Sequence, residues 1–451
     1  MNVAIVLAAG QGTRMKSELP KVLHRVMGKP MLEHVLSTLS KVQVDRKILV
    51  LGHGAEKIQE SLQDRTEFVY QREQLGTGHA VMQAEDLLDQ DMKNVLVVCG
   101  DTPLLRAETL DRLIAKHDDS DAVVTILTSI IDNPEGYGRI IRQNGQVIAI
   151  VEEKDAAEEE KKICEINTGT YCFTGAFLKE YLNTLTNNNT QQEYYLTDLI
   201  KIAVANNLKV AAHILEDIKE SLGINNKLQL AEAEQVLRQR TLEKLMLAGV
   251  TIIDPCNTYI HDTVEIGTDT VIYPGSVIEG IARIGKECTI GPHTRVIDST
   301  IGDYCVIQNS VITESRVAAN CNIGPFAYLR PGAVLNENVK VGDFVEIKKS
   351  EIGKDSKVPH LSYIGDAVIG EQVNIGCGTI TCNYDGREKH VTIIEDRAFV
   401  GSNTNLIAPV KIGKDTVIGA GSSINQDVPD KALGIARQRQ KNIPDWVKDN
   451  K

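Results

Sequence analysis

Several features are scarce in this 451-residue chain, and each scarcity removes a class of protein. Its nine cysteines are odd in number, scattered, and nowhere spaced as Cys-x-x-Cys, which argues against a disulfide framework and against a zinc site. Positive charge is in deficit: 49 Lys and Arg against 61 Asp and Glu leave a net charge of -12. A general nucleic-acid or anionic-membrane binder is not built this way, although local basic pockets remain open to it. No apolar run is long enough to span a membrane. The apolar start Val3–Ala9 lacks a preceding cationic segment, so it reads as a buried first strand and not as a signal peptide. A cytoplasmic location is expected. The length exceeds what one core organises, so two or three domains are expected.

What is present is periodic. An aliphatic residue recurs at every sixth position: Ile266, Ile272, Ile278, Ile284 and Ile290, then Ile323, Leu329, Leu335, Val341 and Ile347, then Val400, Leu406, Ile412, Ile418 and Ile424. A period of six fits neither a helix nor an open sheet, but it fits a β-solenoid of hexapeptide rungs with the aliphatics pointing inward. Glycine often follows (Gly267, Gly285, Gly291, Gly302, Gly324, Gly342, Gly413, Gly419), which suggests tight corners needing its conformational freedom. Small residues such as Ser276, Cys288, Cys305, Cys321 and Thr416 occupy inward slots beside the aliphatics. With three sides and roughly 18 residues per turn, about ten stacked turns are expected.

Before this region the pattern changes. Ala4–Leu7, Lys47–Leu51, Val95–Cys99 and Ala122–Leu127 read as strands buried on both faces, with helical periodicity around Met31–Lys41 and Thr109–His117. Such alternation predicts a doubly wound, Rossmann-like α/β sheet with helices on both sides. The expected division is an N-terminal domain over 1–226, a connecting helix over 227–248 capped by Asn225 or Asn226, and a β-helix with its tail over 249–451. The run Asp155–Lys162 reads as a solvated loop or helix end. The tail holds Pro444 and the single tryptophan, Trp446.

The first strand runs into Leu7-Ala8-Ala9-Gly10-Gln11-Gly12-Thr13-Arg14-Met15, with Pro20-Lys21 soon after. Gly10 and Gly12 would let backbone N–H groups approach a phosphate, a following helix would offer its positive end, and Arg14 and Lys21 would neutralise charge. Met15 stands where a dinucleotide fingerprint needs its third glycine, and no Gly-Lys-Ser/Thr completes an ATPase loop. The whole string resembles the signature of the sugar nucleotidyltransferases. That resemblance implies that Leu7, Ala8, Ala9, Gly10 and Lys21 hold a nucleoside triphosphate for attack by a sugar 1-phosphate, and it gives Arg14 and Lys21 catalytic roles. It also implies that Gln71, Gly76 and Thr77 read a uracil ring beside Cys99 and Gly100. Asp101 and Asn225 become Mg²⁺ ligands, and Gly138, Glu152, Asn167 and Glu193–Asp198 become the sugar wall.

Two places read as departures from the hexad register: Lys357–Tyr363, which contains His360, and the excursion Thr381–Arg387. A histidine among cations (Arg330, Lys348, Lys349), with a loop to close over it, suits acid–base chemistry. Together with the first site, these features resemble the family of bifunctional N-acetylglucosamine-1-phosphate uridyltransferase/glucosamine-1-phosphate acetyltransferases over nearly the whole chain. The resemblance implies a left-handed β-helix assembled as a homotrimer with active sites between subunits, with neither nucleic acid nor membrane insertion. It makes His360 the general base for acetyl transfer to glucosamine 1-phosphate. Arg330, Lys348, Tyr363 and Asn374 would bind that substrate. Cys377, Asn383, Tyr384, Ser402, Ala420 and Arg437 would hold acetyl-coenzyme A. UTP and N-acetylglucosamine 1-phosphate would then join at the first site to form UDP-N-acetylglucosamine, a precursor of bacterial cell-wall sugars. Pro359 and Cys377 depart from the family's small residues. A thiol at Cys377, beside the thioester, is expected to make acetyl transfer sensitive to thiol reagents. Two rivals stay open: a nucleotidyltransferase whose solenoid only assembles subunits, and a scaffold that merely binds ligands.

Overall fold

The computed structural model describes residues 1–62, 66–89, 91–444, 446 and 447. The chain forms two compact units, Met1–Leu237 and Arg238–Lys451. No helix among the described residues is long and apolar enough to cross a membrane.

In the first unit the expected strands appear as Asn2–Ala8, Arg46–Leu51, Asn94–Cys99 and Val124–Ile130, and the expected helices as Met31–Leu39 and Ala107–Ser120. Successive side chains of a strand point to opposite faces, so each strand feeds two cores. Val3, Ile5, Val95 and Val97 enter one core, whereas Ala4, Val6, Leu96 and Val98 enter the other. That is why these runs are apolar without alternation. Asn2–Ala8 lies at the centre, paired in parallel with Arg46–Leu51 on one side and Asn94–Cys99 on the other. Glu165–Thr174 runs antiparallel to its neighbours Asn94–Cys99 and Val124–Ile130. The central strand is therefore a point where strand order reverses, and the loops leaving the carboxyl ends of Asn2–Ala8 and Asn94–Cys99 open a crevice there.

The charged run 155–162 is a largely exposed loop ending in a single 3₁₀ turn, Glu160–Lys162. The long helix is Lys227–Leu247. Asn226 caps it, its Oδ1 accepting the Gln229 N–H at 2.9 Å. Ala233 packs into a cluster of the first unit with Val26, Met31 and Ile224, whereas Leu242 and Leu245 belong to the core of the second.

The second unit is a coil of parallel strands forming three sheets of 11, 10 and 9 strands, in agreement with the expected turn number. Thr289 pairs with Val306, Val306 with Asn322, and Asn322 with Lys340, so the repeat is 17, 16 or 18 residues according to corner length. The six-residue aliphatics point inward; Ile290, Ile307, Ile323 and Val341 are fully buried. Cys288, Cys305 and Cys321 stack in one inward column, each thiol donating to a carbonyl of the next turn (Gly302, Ala318 and Asn336) at 3.1–3.2 Å.

Two sequence-based expectations are corrected. Only some of the glycines after the inward aliphatics take left-handed corners: Gly291 and Gly324 do, at φ 100° and 102°, and the others do not. Gly267, Gly285, Gly302, Gly342 and Gly413 lack positive φ, which falls two residues later at Asp269, Glu287, Tyr304, Phe344 and Asp415. These glycines are small because the next turn lies directly against them: a Cβ at Gly267 would stand 2.6 Å from the Lys286 nitrogen. Second, Lys357–Tyr363 does not leave the register. Val341 pairs with Val358 and Ile347 with Ile364, both inward and buried. The true interruption follows Cys382, where the pairing offset widens to 25 residues (Asn374 with Phe399) before Thr392–Ile394 resumes the sheet.

A Cβ at Gly342 would sit 1.9 Å from the Pro359 carbonyl oxygen. Gly342→Ala is therefore expected to force two turns apart and destabilise the second unit by about 1–3 kcal/mol, read as a lower denaturant midpoint.

Candidate active sites

The crevice of the first unit is a cavity of about 250 Å³. Leu7, Ala8, Ala9, Gly10, Lys21, Gln71, Gly76, Thr77, Cys99 and Asp101, all expected from sequence, line it. Val22, Gln74, Ala80 and Glu193 line it too. Gly10 is exposed, with nothing within 4 Å of where a Cβ would lie, so its backbone is open to a ligand. Gly12 is there for other reasons: its φ is +64°, and a Cβ would collide with the Lys21 side chain at 2.6 Å.

No α-helix follows the loop. Thr13–Met15 is one 3₁₀ turn, ended by Lys16 at φ 48°, and the next α-helix begins at Met31. The expected helix dipole is absent, and side chains must supply the positive charge. Lys21 pairs with Asp101 and donates to Asn225 Oδ1 at 2.6 Å, while Arg14 donates to the same oxygen at 2.9 Å. Asn225 arrives because the Ile224 N–H bonds the Asp101 carbonyl at 3.0 Å. Gly100 is held on the Leu7 carbonyl at 2.9 Å. Burial, with Asp101 nearby, pushes the Cys99 thiol up to about 12, so it stays protonated.

The segments around Leu75–Gly78 and Tyr194–Thr197 are strapped together. Tyr194 N–H donates to the Leu75 carbonyl at 2.7 Å, Gly78 N–H to the Tyr194 carbonyl at 2.8 Å, and Leu196 N–H to Thr77 Oγ1 at 3.2 Å. Thr197 donates to Glu152 Oε1 at 3.1 Å. Gln71 Nε2 bonds the Gly76 carbonyl at 3.0 Å and meets His79 Nδ1 at 3.1 Å. Gly138, Glu152 and Asn167 surround one space: a Cβ on Gly138 would lie 3.4 Å from Glu152 Oε2 and 3.5 Å from Asn167 Cβ. Sequence reasoning missed Gln74 and His79, since neither carries a motif; their proximity to Gln71 was the only available signal.

In the second unit, His360 ends the strand Lys357–His360, directly against Asp343. Its Nδ1 lies 2.5 Å from Asp343 Oδ1, and the side chain is 55% exposed. The histidine thus faces out of the solenoid, and its partner holds one ring nitrogen, Nδ1. The imidazole keeps the Asp343 carboxyl below its ordinary range. Counting two residues beyond the inward column Val358–Ile375–Val400–Ile418 places His360, Cys377, Ser402 and Ala420 along one corner. Arg437 reaches this corner too, its Cδ lying 3.8 Å from where a Gly421 Cβ would be. Asn374 sits on the strand face preceding that corner, paired with Phe399.

Arg330, Lys348 and Asn383 lie at the other end of the Tyr363–Gly365 strand. Lys348 pairs with Gly365, and Asn383 bonds Asp366. Gly365 leaves room for the Tyr363 ring, whose oxygen would stand 2.4 Å from a Cβ there. Arg330 pairs with Glu346 at 2.6 Å. Lys348 faces Lys389 of the excursion, and the like charge lowers the Lys348 ammonium's affinity for its proton. Sequence reasoning missed Lys389, whose position depends on how the excursion folds back. Asp385 staples that excursion, accepting Arg387 N–H at 2.7 Å, Glu388 N–H at 2.8 Å and His390 Nε2 at 2.8 Å. Tyr384 is exposed, its hydroxyl on the Gly386 carbonyl at 2.8 Å.

Burial raises the Glu152 carboxyl above its unfolded-chain value. Its folded state holds the proton more tightly, so its stabilisation is full below the ordinary carboxyl pKa and is lost as pH rises through the raised value. Glu152→Gln is expected to raise the thermal midpoint near and above neutrality and to change it little in acid, read by thermal denaturation across pH.

Comparison with known proteins agrees with both halves. A nucleotidyl transferase family model matches residues 3–233, a GlmU-like C-terminal hexapeptide model matches 282–372, and a bacterial transferase hexapeptide model matches 392–426. The bifunctional protein GlmU of Heliobacterium modesticaldum is 57% identical over 97% of this chain and 96% of its own length. Its counterpart from Exiguobacterium sp. is 54% identical over 99% of both, and that of Geobacillus sp. is 52% identical over 98% of this chain and 97% of its own. The coil of parallel strands is accordingly the left-handed β-helix of hexapeptide transferases. The chain belongs to the GlmU family of bifunctional transferases, which acetylate glucosamine 1-phosphate and uridylylate the product to UDP-N-acetylglucosamine.

Proposed function

We propose that the two activities are divided between the two sites: uridylyl transfer in the crevice of the first unit and acetyl transfer on the outward corner that carries His360. The observation that carries this reading is the contrast in chemistry. The crevice has fixed charges on a bare glycine backbone, and the corner has an exposed imidazole held at one nitrogen by a carboxylate.

In uridylyl transfer a sugar-phosphate oxygen attacks the α-phosphorus of UTP and pyrophosphate leaves. Little proton movement is needed, so alignment and charge neutralisation carry the rate. Gly10 admits the phosphates, and Arg14 and Lys21 balance their charge. Gln71, Gly76 and Thr77 seat the base, and Gly138, Glu152 and Asn167 seat the sugar. The Asp101 carboxylate and the Asn225 carboxamide oxygen converge on the Lys21 ammonium. Two hard oxygens around one cation suit Mg²⁺, which takes a few protein oxygens and leaves the rest of its shell to phosphate and water. When bound, Mg²⁺ supplies further neutralisation of phosphate charge.

In acetyl transfer His360 Nε2 takes the proton of the glucosamine amine as its nitrogen attacks the acetyl thioester, and coenzyme A leaves as the thiol. Asp343 orients the ring. Arg330 and Lys348 hold the sugar phosphate, with Tyr363 and Asn374 beside the sugar. Cys377, Ser402, Ala420 and Arg437 hold acetyl-coenzyme A along the corner, and Asn383 and Tyr384 hold it from the excursion. A homotrimer with sites completed between subunits fits the surface next to His360. Phe326 and Phe344 stack at 5.3 Å although each is more than half exposed, and exposed Leu361 adjoins them. Contiguous exposed apolar side chains of this kind are what a subunit interface covers. Reliance on UTP and acetyl-coenzyme A supports a cytoplasmic enzyme.

His360→Ala is expected to lower acetyl transfer by roughly 10²–10⁴-fold and leave uridylyl transfer intact, whereas Arg14→Ala and Lys21→Ala do the reverse, each assayed separately. Equal loss of both activities in a folded variant would overturn the division. Chelating Mg²⁺ is expected to stop pyrophosphate release and spare acetylation.

A further inference from the structure

Asn167 stands at a bulge of the strand Glu165–Thr174, where pairing with Val124–Ile130 shifts register between Asn167 and Thr170. Its own N–H is held by the Gly138 carbonyl at 2.9 Å, and Thr168 Oγ1 anchors the bulge on the Leu127 carbonyl at 2.7 Å. The Gly169 N–H lies 3.1 Å from the Asn167 side chain. A backbone N–H only donates, so the atom facing it must be the carboxamide oxygen. The carboxamide nitrogen is thereby directed the other way, where it donates to the Tyr171 hydroxyl at 2.6 Å. Tyr171 is 3% exposed, and its ring packs 5.6 Å from that of Phe173. Burial and the nearby Glu152 carboxylate keep its hydroxyl protonated, so Asn167 meets a neutral acceptor.

A carboxamide has two donors and two acceptor positions. Held at both ends, that of Asn167 keeps one N–H and one lone pair unused, in a fixed orientation. It borders the space it shares with Gly138 and Glu152. Cys99, which lines the cavity, closes the bulge from behind, its thiol bonding the Gly169 carbonyl at 3.7 Å.

We infer that Tyr171 is a positioning residue for uridylyl transfer: its buried hydroxyl holds the Asn167 carboxamide ready to pair with a polar substituent of the sugar 1-phosphate. The inference rests on the reading of Asn167 as part of the sugar wall. Tyr171 itself does not touch substrate; it lowers the cost of ordering the group that does.

The test uses the full-length protein in the uridylyl-transfer assay with UTP and N-acetylglucosamine 1-phosphate. Tyr171→Phe keeps the ring and removes only the hydroxyl. Loss of one buried hydrogen bond is expected to raise KM for the sugar phosphate about fivefold. The kcat, KM for UTP, acetyl transfer and thermal midpoint should stay near the parent values. Asn167→Ala should raise the same KM at least as much, and the double variant should be no worse than Asn167→Ala alone, because the hydroxyl acts only through Asn167. If Asn167→Ala raises the sugar KM and Tyr171→Phe does not, the positioning role is overturned while the sugar-wall reading stands. If Asn167→Ala changes nothing, both are overturned. If Tyr171→Phe raises both KM values and lowers the thermal midpoint, the tyrosine is a packing residue and the inference is wrong.

Discussion

Backbone hydrogen bonds between successive turns are the constraint on which the second unit depends. Thr289 N–H meets the Cys305 carbonyl at 2.8 Å, and Val306 N–H meets that of Cys321 at 2.9 Å. Repeated along three faces, these bonds hold every turn at strand spacing, about 4.8 Å, from the next. The interior is then a fixed shaft that accepts one aliphatic per side and small residues at the corners. The thiols of Cys288, Cys305 and Cys321 fill such slots, each bonded to a carbonyl of the next turn.

The same stacking organises the outer surface. Any outward position recurs at each turn, so residues about 17 apart in sequence become neighbours. His360 acquires Asp343 in this way, and Cys377, Ser402 and Ala420 follow along the same corner. The excursion after Cys382 adds a loop without disturbing the shaft because Thr392–Ile394 returns to pair with Ala367–Ile369 and Val410–Ile412.

The first unit solves a different problem, gathering charge where strand order reverses. Lys21, Asp101 and Asn225 come from three distant segments and meet on one ammonium. The sheet fixes Asp101 at a strand end, the Ile224–Asp101 backbone bond brings Asn225, and Gly12 makes room for the stem of Lys21. With no helix end behind the glycine loop, its electrostatics rest on side chains and open backbone N–H groups.

Much of this was legible in the primary structure because it depends on local repetition. A six-residue period admits few folds, and strands buried on both faces must be apolar throughout, so Ala4–Leu7 and Val95–Cys99 could be read directly. The glycine loop was legible because its residue types are rare in that order. The role of Gly267, Gly285, Gly302, Gly342 and Gly413 was not, since it comes from the adjacent turn and not from their own φ. Lys357–Tyr363 looked irregular because Pro359 and His360 are unusual residues, yet Val358 and Ile364 keep the inward register. The sequence by itself determined the class of each half and most of the residues lining the crevice of the first unit, because periodicity and motif are properties of neighbours along the chain. Only the tertiary structure decided the Asp343–His360 pair, the opposition of Lys348 and Lys389, and the hold of Tyr171 on Asn167. Each depends on register between strands or on the path of a loop, and distances between such segments are set by packing.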